Sequence, residues 1–163
     1  VKETPAVTVK IKRGFDLVAQ YSGIELEPDQ GATFSGQVVL NGIEPGDGYT
    51  IYIKGPKHLA RKFCQNQQTE RCFGPGKITL RAGENNFDFS QRSLEPGDLP
   101  NPSQNMRQDG LVNGNDFSAL KLRLGQTAPE ELAVADLDFN GVINTRDIVL
   151  LLQTLSSKYG EEE

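Results

Sequence analysis

One spacing recurs through the last third of this chain. Laid on itself, the tail superposes Gly110 on Gly141, Val112 on Ile143, Asn113 on Asn144, Asp116 on Asp147, Leu120 on Leu151 and Leu124 on Leu155, every pair 31 positions apart. A glycine, two polar residue types and three apolar positions seldom keep one offset by chance, so the segment is a structural duplication, each copy a turn followed by a helix. Neither copy has enough apolar surface for a core of its own, and the two must share one.

The turn of the second copy has its own chemistry. In the twelve residues from Asp136 to Asp147, positions 1, 3, 5, 9 and 12 are Asp136, Asp138, Asn140, Asn144 and Asp147, with Gly141 at position 6. Oxygen side chains at alternate places, with a glycine permitting the sharp bend, form the EF-hand pattern, because a hard cation wants six to eight oxygens at about 2.3–2.6 Å. The Val142 carbonyl supplies position 7, and Ile143 points into the shared core. An ordinary Asp/Asn-rich helix start would account for Asn144. It would leave three acids and Asn140 at these intervals unexplained, so the expectation is calcium.

The first copy needs an interrupted register. An unbroken loop starting at Asn105 would put Arg107 at the third ligand position, where cation repels cation. Matching Asp98-Leu99 to Asp136-Leu137 changes the offset to 38 and inserts seven residues before Asp109. The expected ligands are then Asp98, Asp109, the Leu111 carbonyl, Asn113 and Asp116, with Pro100 to Gln108 looping outward. The third position is left to Asn101, a backbone carbonyl or water. Two calcium ions are expected in all.

Helical spacing follows each loop: Phe117, Leu120, Leu122 and Leu124 in one segment, Ile148, Leu151, Leu152 and Leu155 in the other. Thr127 and Glu130 read as a capping box with Pro129 just inside, starting a short helix between the copies. Two calcium loops with their helices, preceded by Gly97-Asp98, resemble the type I dockerin domain over residues 98–163. That resemblance implies a cohesin domain as partner, contacted through loop positions 10 and 11 and the helices behind them. Those positions are Gly114 and Asn115 in one copy and Thr145 and Arg146 in the other, so the two faces differ.

Before Pro96 the period changes. Val7, Val9 and Ile11 alternate with Thr8, Lys10 and Lys12; Phe34, Val38 and Leu40 form a second run, and Tyr49 to Lys54, Lys77 to Arg81 and Phe87 to Phe89 three more, separated by turn residues. The fold expected is an immunoglobulin-like antiparallel β-sandwich over 1–95, followed by a small α-helical domain over 96–163. The strand bearing Val7, Val9 and Ile11 could belong to its own sandwich or be donated to a neighbouring subunit. Cys64 and Cys72 enclose seven polar residues, which reads as a local disulfide and an extracellular or cell-surface location. A chain starting at Val1 hints at a removed targeting segment.

Charge narrows the function classes. Residues 1–97 carry 12 basic and 11 acidic side chains and residues 98–163 carry 5 and 11, so no basic face suits nucleic acid and the acid surplus sits beside the loops. No apolar run reaches the roughly 20 residues of a membrane span. The clustered acids are assigned to metal, and the lone His58 lies in a Lys/Arg-rich stretch without a nucleophile motif, so it reads as a surface residue and catalysis is not expected. The reading is a calcium-binding structural or assembly protein, whose partners are further subunits in a surface layer or filament, or a cohesin. Carbohydrate binding through Tyr21, Tyr49 or Tyr52 is a weaker alternative.

Overall fold

A computed structural model describes residues 4–31, 33–157 and 160–163. Backbone contacts divide the chain into two compact units, one gathering Ala6–Lys54 and Arg61–Ser93, the other Leu94–Glu162 together with Gly55–Ala60.

The first unit is built on antiparallel ladders. β1 (Ala6–Arg13) lies between β2 (Asp16–Glu25) and β5 (Gly46–Lys54), while β6 (Arg61–Phe63) and β7 (Ile78–Leu80) share the far edge of β5 at different heights. β3 (Glu27–Pro28) and β4 (Phe34–Ser35) form a separate two-stranded ladder. Alternation in β1 puts Val7, Val9 and Ile11 inward at 9% exposure or less, packed in a core with Tyr49, Ile51, Phe63, Ile78 and Leu80. The expected antiparallel β module is therefore present. β1 is an interior strand paired on both edges, so handing Val7, Val9 and Ile11 to another subunit would dismantle two ladders and open this core.

Several local expectations are corrected. The run from Phe34 to Leu40 is a strand only at Phe34–Ser35, and Phe87 to Phe89 keeps a single bridge, Gln67 to Asp88. β2 has its apolar Leu17 and Val18 adjacent and mostly exposed, so no alternation marks it. Tyr49 and Tyr52 are buried, the first donating its hydroxyl to the Glu44 carbonyl at 2.6 Å, and neither offers a face to a sugar. Cys64 and Cys72 form the expected disulfide, with Cα atoms 6.1 Å apart.

Among the described residues the second unit has three α-helices, α1 (Gly114–Lys121), α2 (Pro129–Ala135) and α3 (Thr145–Ser157). Its core is Leu99, Leu120, Leu132, Val134, Ala135, Leu137, Ile143 and Leu151. Equivalent leucines of the two copies, Leu120 and Leu151, are both fully buried, as a shared core requires. Leu122, Leu124, Leu152 and Leu155, placed at helical spacing by the sequence, are 40–83% exposed. α2 begins at Pro129 as expected, but its cap is Ala128 with no side-chain hydrogen bond, so Thr127 forms no capping box.

Gly55–Ala60 threads this second unit by backbone hydrogen bonds. The Leu59 N–H donates to Glu95 O, the Gly97 N–H to Lys57 O and the Glu162 N–H to Ala60 O, at 2.9, 2.8 and 3.1 Å. No described helix is long and apolar enough to cross a membrane.

Candidate metal centre

Each loop is organised by its first and last aspartates, and both loops do it the same way. In the second loop the Asp147 carboxylate accepts the N–H of Leu137 at 2.7 Å and of Asn144 at 2.8 Å, while Asp136 accepts those of Asn140 at 3.2 Å and Gly141 at 2.9 Å. In the first, Asp116 accepts the N–H of Leu99 at 3.0 Å and of Asn113 at 2.8 Å, and Asp98 that of Gly110 at 3.2 Å. The middle of each loop repeats too. Asp109 and Asn140 accept from the residue two places on, Leu111 and Val142, at 2.9 and 3.0 Å. Asn113 and Asn144 each cap the helix behind them, accepting from Asn115 and Arg146 at 2.8 and 2.7 Å. Four side chains of the interrupted register thus have matching hydrogen-bond roles: Asp98 with Asp136, Asp109 with Asn140, Asn113 with Asn144 and Asp116 with Asp147.

Gly110 and Gly141 both sit at positive φ, 79° and 89°, the left-handed conformation that turns the loop back toward its first aspartate. A side chain at Gly110 would also collide with the carboxylate of Glu161.

The loops differ in how much acid they gather. Asp136, Asp138 and Asp147 each place a carboxylate oxygen within 4.8 Å of the others. Among the described residues no comparable trio forms in the first loop. Its seven extra residues make a closed excursion: Asn101 pairs with Arg107 across its stem, and Pro102–Gln104 forms a short 3-10 turn. Asn101 caps that turn through Ser103 N–H at 3.0 Å, so its side-chain oxygen is engaged there.

Burial raises the pKa of Asp136, and the Asp147 carboxylate pushes it the same way, against the loop N–H donors and the Lys57 charge. Burial likewise raises that of Asp116, against the Asn113 and Leu99 N–H groups. Converging buried carboxylates held at rising cost, with oxygen-only donors around them, are the chemistry of a hard divalent cation site.

Sequence reasoning missed what backs the second loop. Lys57, fully buried, donates to the Leu132 carbonyl at 3.1 Å and lies 4.4 Å from the Phe139 ring centroid. His58 stacks on the same ring, centroids 6.3 Å apart, and Gln108 donates to the carbonyls of His58 and Asp98 at 3.2 and 2.8 Å. Phe139 itself has φ 56°, unusual for a bulky residue, and is held there by this packing. The only available signal was the compact run Gly55-Pro-Lys-His-Leu59, which has no chemistry in isolation.

His58 is not a surface histidine. Its Nδ1 is enclosed without a partner, and desolvation, then the Lys57 charge, lowers its pKa from 6.5 to about 4. The unfolded chain therefore takes up a proton that the folded unit refuses. Stability contributed by neutral His58 is complete above about pH 6.5 and declines toward pH 4, by at most about 3 kcal/mol. Thermal melts across that window should show the decline, and His58→Phe should flatten it; an unchanged slope would place the acid sensitivity elsewhere.

Comparison with known proteins agrees with this geometry. Residues 106–156 match the dockerin type I domain. Two solved structures share the fold, both type II cohesin-X-dockerin complexes from Acetivibrio cellulolyticus. The C-terminal interface mutant is 15% identical, with a TM-score of 0.53 over 91% of this chain and 80% of that one. The N-terminal interface mutant is 16% identical, with the same TM-score over 92% and 80%. No curated protein sequence matches. The family match starts at Met106, past Asp98.

Proposed function

We propose that the carboxyl-terminal unit is a calcium-stabilised docking module through which this extracellular, non-catalytic assembly component attaches to a cohesin-like domain. Calcium would be held by Asp136, Asp138, Asn140, the Val142 carbonyl, Asn144 and Asp147 in the second loop. In the first it would be held by Asp98, Asp109, the Leu111 carbonyl, Asn113 and Asp116. The ion would supply the positive charge that lets these carboxylates converge. The protein's own contribution is the N–H frame that aims them and the caps that start α1 and α3 at fixed points.

The observation carrying the docking reading is the surface of α3. Val149, Leu152 and Leu155, at successive intervals of three, are 52%, 44% and 40% exposed on a helix whose start the second loop fixes. Isolated exposed apolar residues are ordinary; a stripe on one helix marks a contact surface. The dockerin match and the cohesin-bound relatives supply the partner class.

Surface plasmon resonance on immobilised type I and type II cohesins tests this. Capture is expected in calcium and should vanish in EDTA. Leu152→Asp should weaken it by about 100-fold, the effect of removing a central apolar contact, without changing the melt of the free protein. Capture indifferent to chelator, or to Leu152→Asp, would sink the reading. Self-assembly into a layer is the second reading, favoured by β2, an edge strand largely exposed along its length. Sedimentation in calcium separates the two, since only self-assembly makes the mass rise with concentration.

A further inference from the structure

The β unit contains an open cleft of about 680 Å³ formed wholly by its own residues. It is lined by Gln65, Asn66 and Gln67, by Asn86, Phe87 and Asp88, and by Lys77.

The first trio is held from several directions. Gln65, Asn66 and Gln67 lie inside the loop that the Cys64–Cys72 disulfide closes. Buried Gln68 sits behind them as a hub: its amide donates to the carbonyls of Lys62 and Glu70 at 3.0 and 2.8 Å, and its oxygen accepts the Cys64 N–H at 2.7 Å. The Asp88 N–H donates to Asn66 O at 3.2 Å, joining this trio to the second.

The second trio rests on an aromatic ladder. Phe87 stacks on Phe89 at 5.7 Å, and Phe89 on the core residue Phe63 at 4.1 Å. The Asp88 carboxylate is fixed by the N–H and hydroxyl of Ser90, at 3.0 and 2.6 Å. Side chains held in place before a ligand arrives lose little freedom on binding.

The lining limits what can fit. Four amides offer donors and acceptors side by side, one ammonium and one carboxylate cancel, and a single braced ring is the apolar element. A phosphate or acidic polymer would require an excess of Arg or Lys, and a lipid or hydrophobic peptide more than one apolar side chain. A neutral sugar chain presents hydroxyls, each donor and acceptor, around a C–H face that packs on an aromatic ring. We propose that this cleft binds a neutral glycan chain, with Phe87 as its platform and Asn66, Gln67 and Asp88 as hydroxyl partners.

The test is calorimetric titration of the full chain, in calcium, with cellohexaose, xylohexaose and mannohexaose, and with polygalacturonate as a charged probe. At least one neutral hexasaccharide should bind at millimolar concentration or below. Phe87→Ala should weaken that binding about 10-fold or more, the scale of one lost ring contact. Asn66→Ala, at an exposed side chain that folding does not need, should weaken it several-fold, which keeps the test valid if Phe87→Ala disturbs the ladder. Opening the loop with Cys64→Ser and Cys72→Ser together should weaken it as well. No heat with any neutral sugar, binding of polygalacturonate alone, or binding indifferent to both Phe87→Ala and Asn66→Ala would overturn the proposal. Because cohesin capture is read separately on α3, failure here leaves the docking reading standing.

Discussion

Removing divalent cations should lower the melting temperature of the carboxyl-terminal unit by roughly 15 °C or more while the β unit melts as before. Linkage sets the size. A ligand at about 1,000 times its dissociation constant contributes about 4 kcal/mol to the folded state, and a domain of this length changes by about 4–8 °C for each kcal/mol. The molecule has little to set against that loss. Among the described residues the unit's apolar cluster has only eight buried side chains, and burial already disfavours the charge of Asp136 and Asp116. Without the ion, Asp136, Asp138 and Asp147 repel one another across less than 4.8 Å. Asp136→Ala should reproduce most of the effect in calcium, because it removes a candidate ligand together with the acceptor for the Asn140 and Gly141 N–H groups. Adding EDTA to that variant should then cost much less than adding it to the wild type. A two-transition calorimetric scan resolves the units, and a lower transition that ignores both EDTA and Asp136→Ala would leave the loops as bare helix starts.

The second loop could be read from the chain because its residues are contiguous. A twelve-residue EF-hand loop writes its geometry at fixed intervals, and nothing distant is needed to place Asp136, Asn144 or Asp147. The first loop was readable only by allowing an insertion, and the matching hydrogen bonds at Asp98 and Asp136 show why that register works: the chain leaves after Leu99, closes its stem between Asn101 and Arg107, and returns with Asp109 in step. Spacing gave no warning of the opposite cases. Leu152 and Leu155 fall at helical intervals in α3 yet lie outside, because periodicity shows which residues share a face and not what covers it, whereas Leu122 and Leu124 lie past the end of α1, where helical spacing no longer applies. Lys57 and His58 were illegible for another reason. Their partners, Leu132 and Phe139, are more than seventy residues away, and a buried lysine next to a histidine looks in sequence like any solvated basic stretch.

Lys57 supports the second large prediction, and its size differs with and without metal. Lys57→Met keeps most of the buried volume but leaves the Leu132 carbonyl without this donor and Phe139 without its cation, and it withdraws positive charge that favours ionised Asp136. Deleting one member of a buried charge arrangement ordinarily costs about 3–5 kcal/mol, since the remaining charge stays desolvated; the lysine's own desolvation, recovered on substitution, offsets part of this and brings the expected loss to about 2–4 kcal/mol in EDTA. In calcium the balance shifts, because a bound divalent ion compensates Asp136 whether or not the lysine is there. Part of the penalty should therefore disappear on loading. By the thermodynamic cycle, whatever disappears returns as tighter binding: recovery of about 1.4 kcal/mol corresponds to calcium held about 10-fold more tightly by the second loop. Chemical denaturation of both proteins in EDTA and in calcium, with calcium titration of each, measures all four edges of the cycle. A variant that is destabilised equally in both conditions, or that binds calcium more weakly, would mean that Lys57 acts only as packing beneath α2 and does not share its charge with the loop.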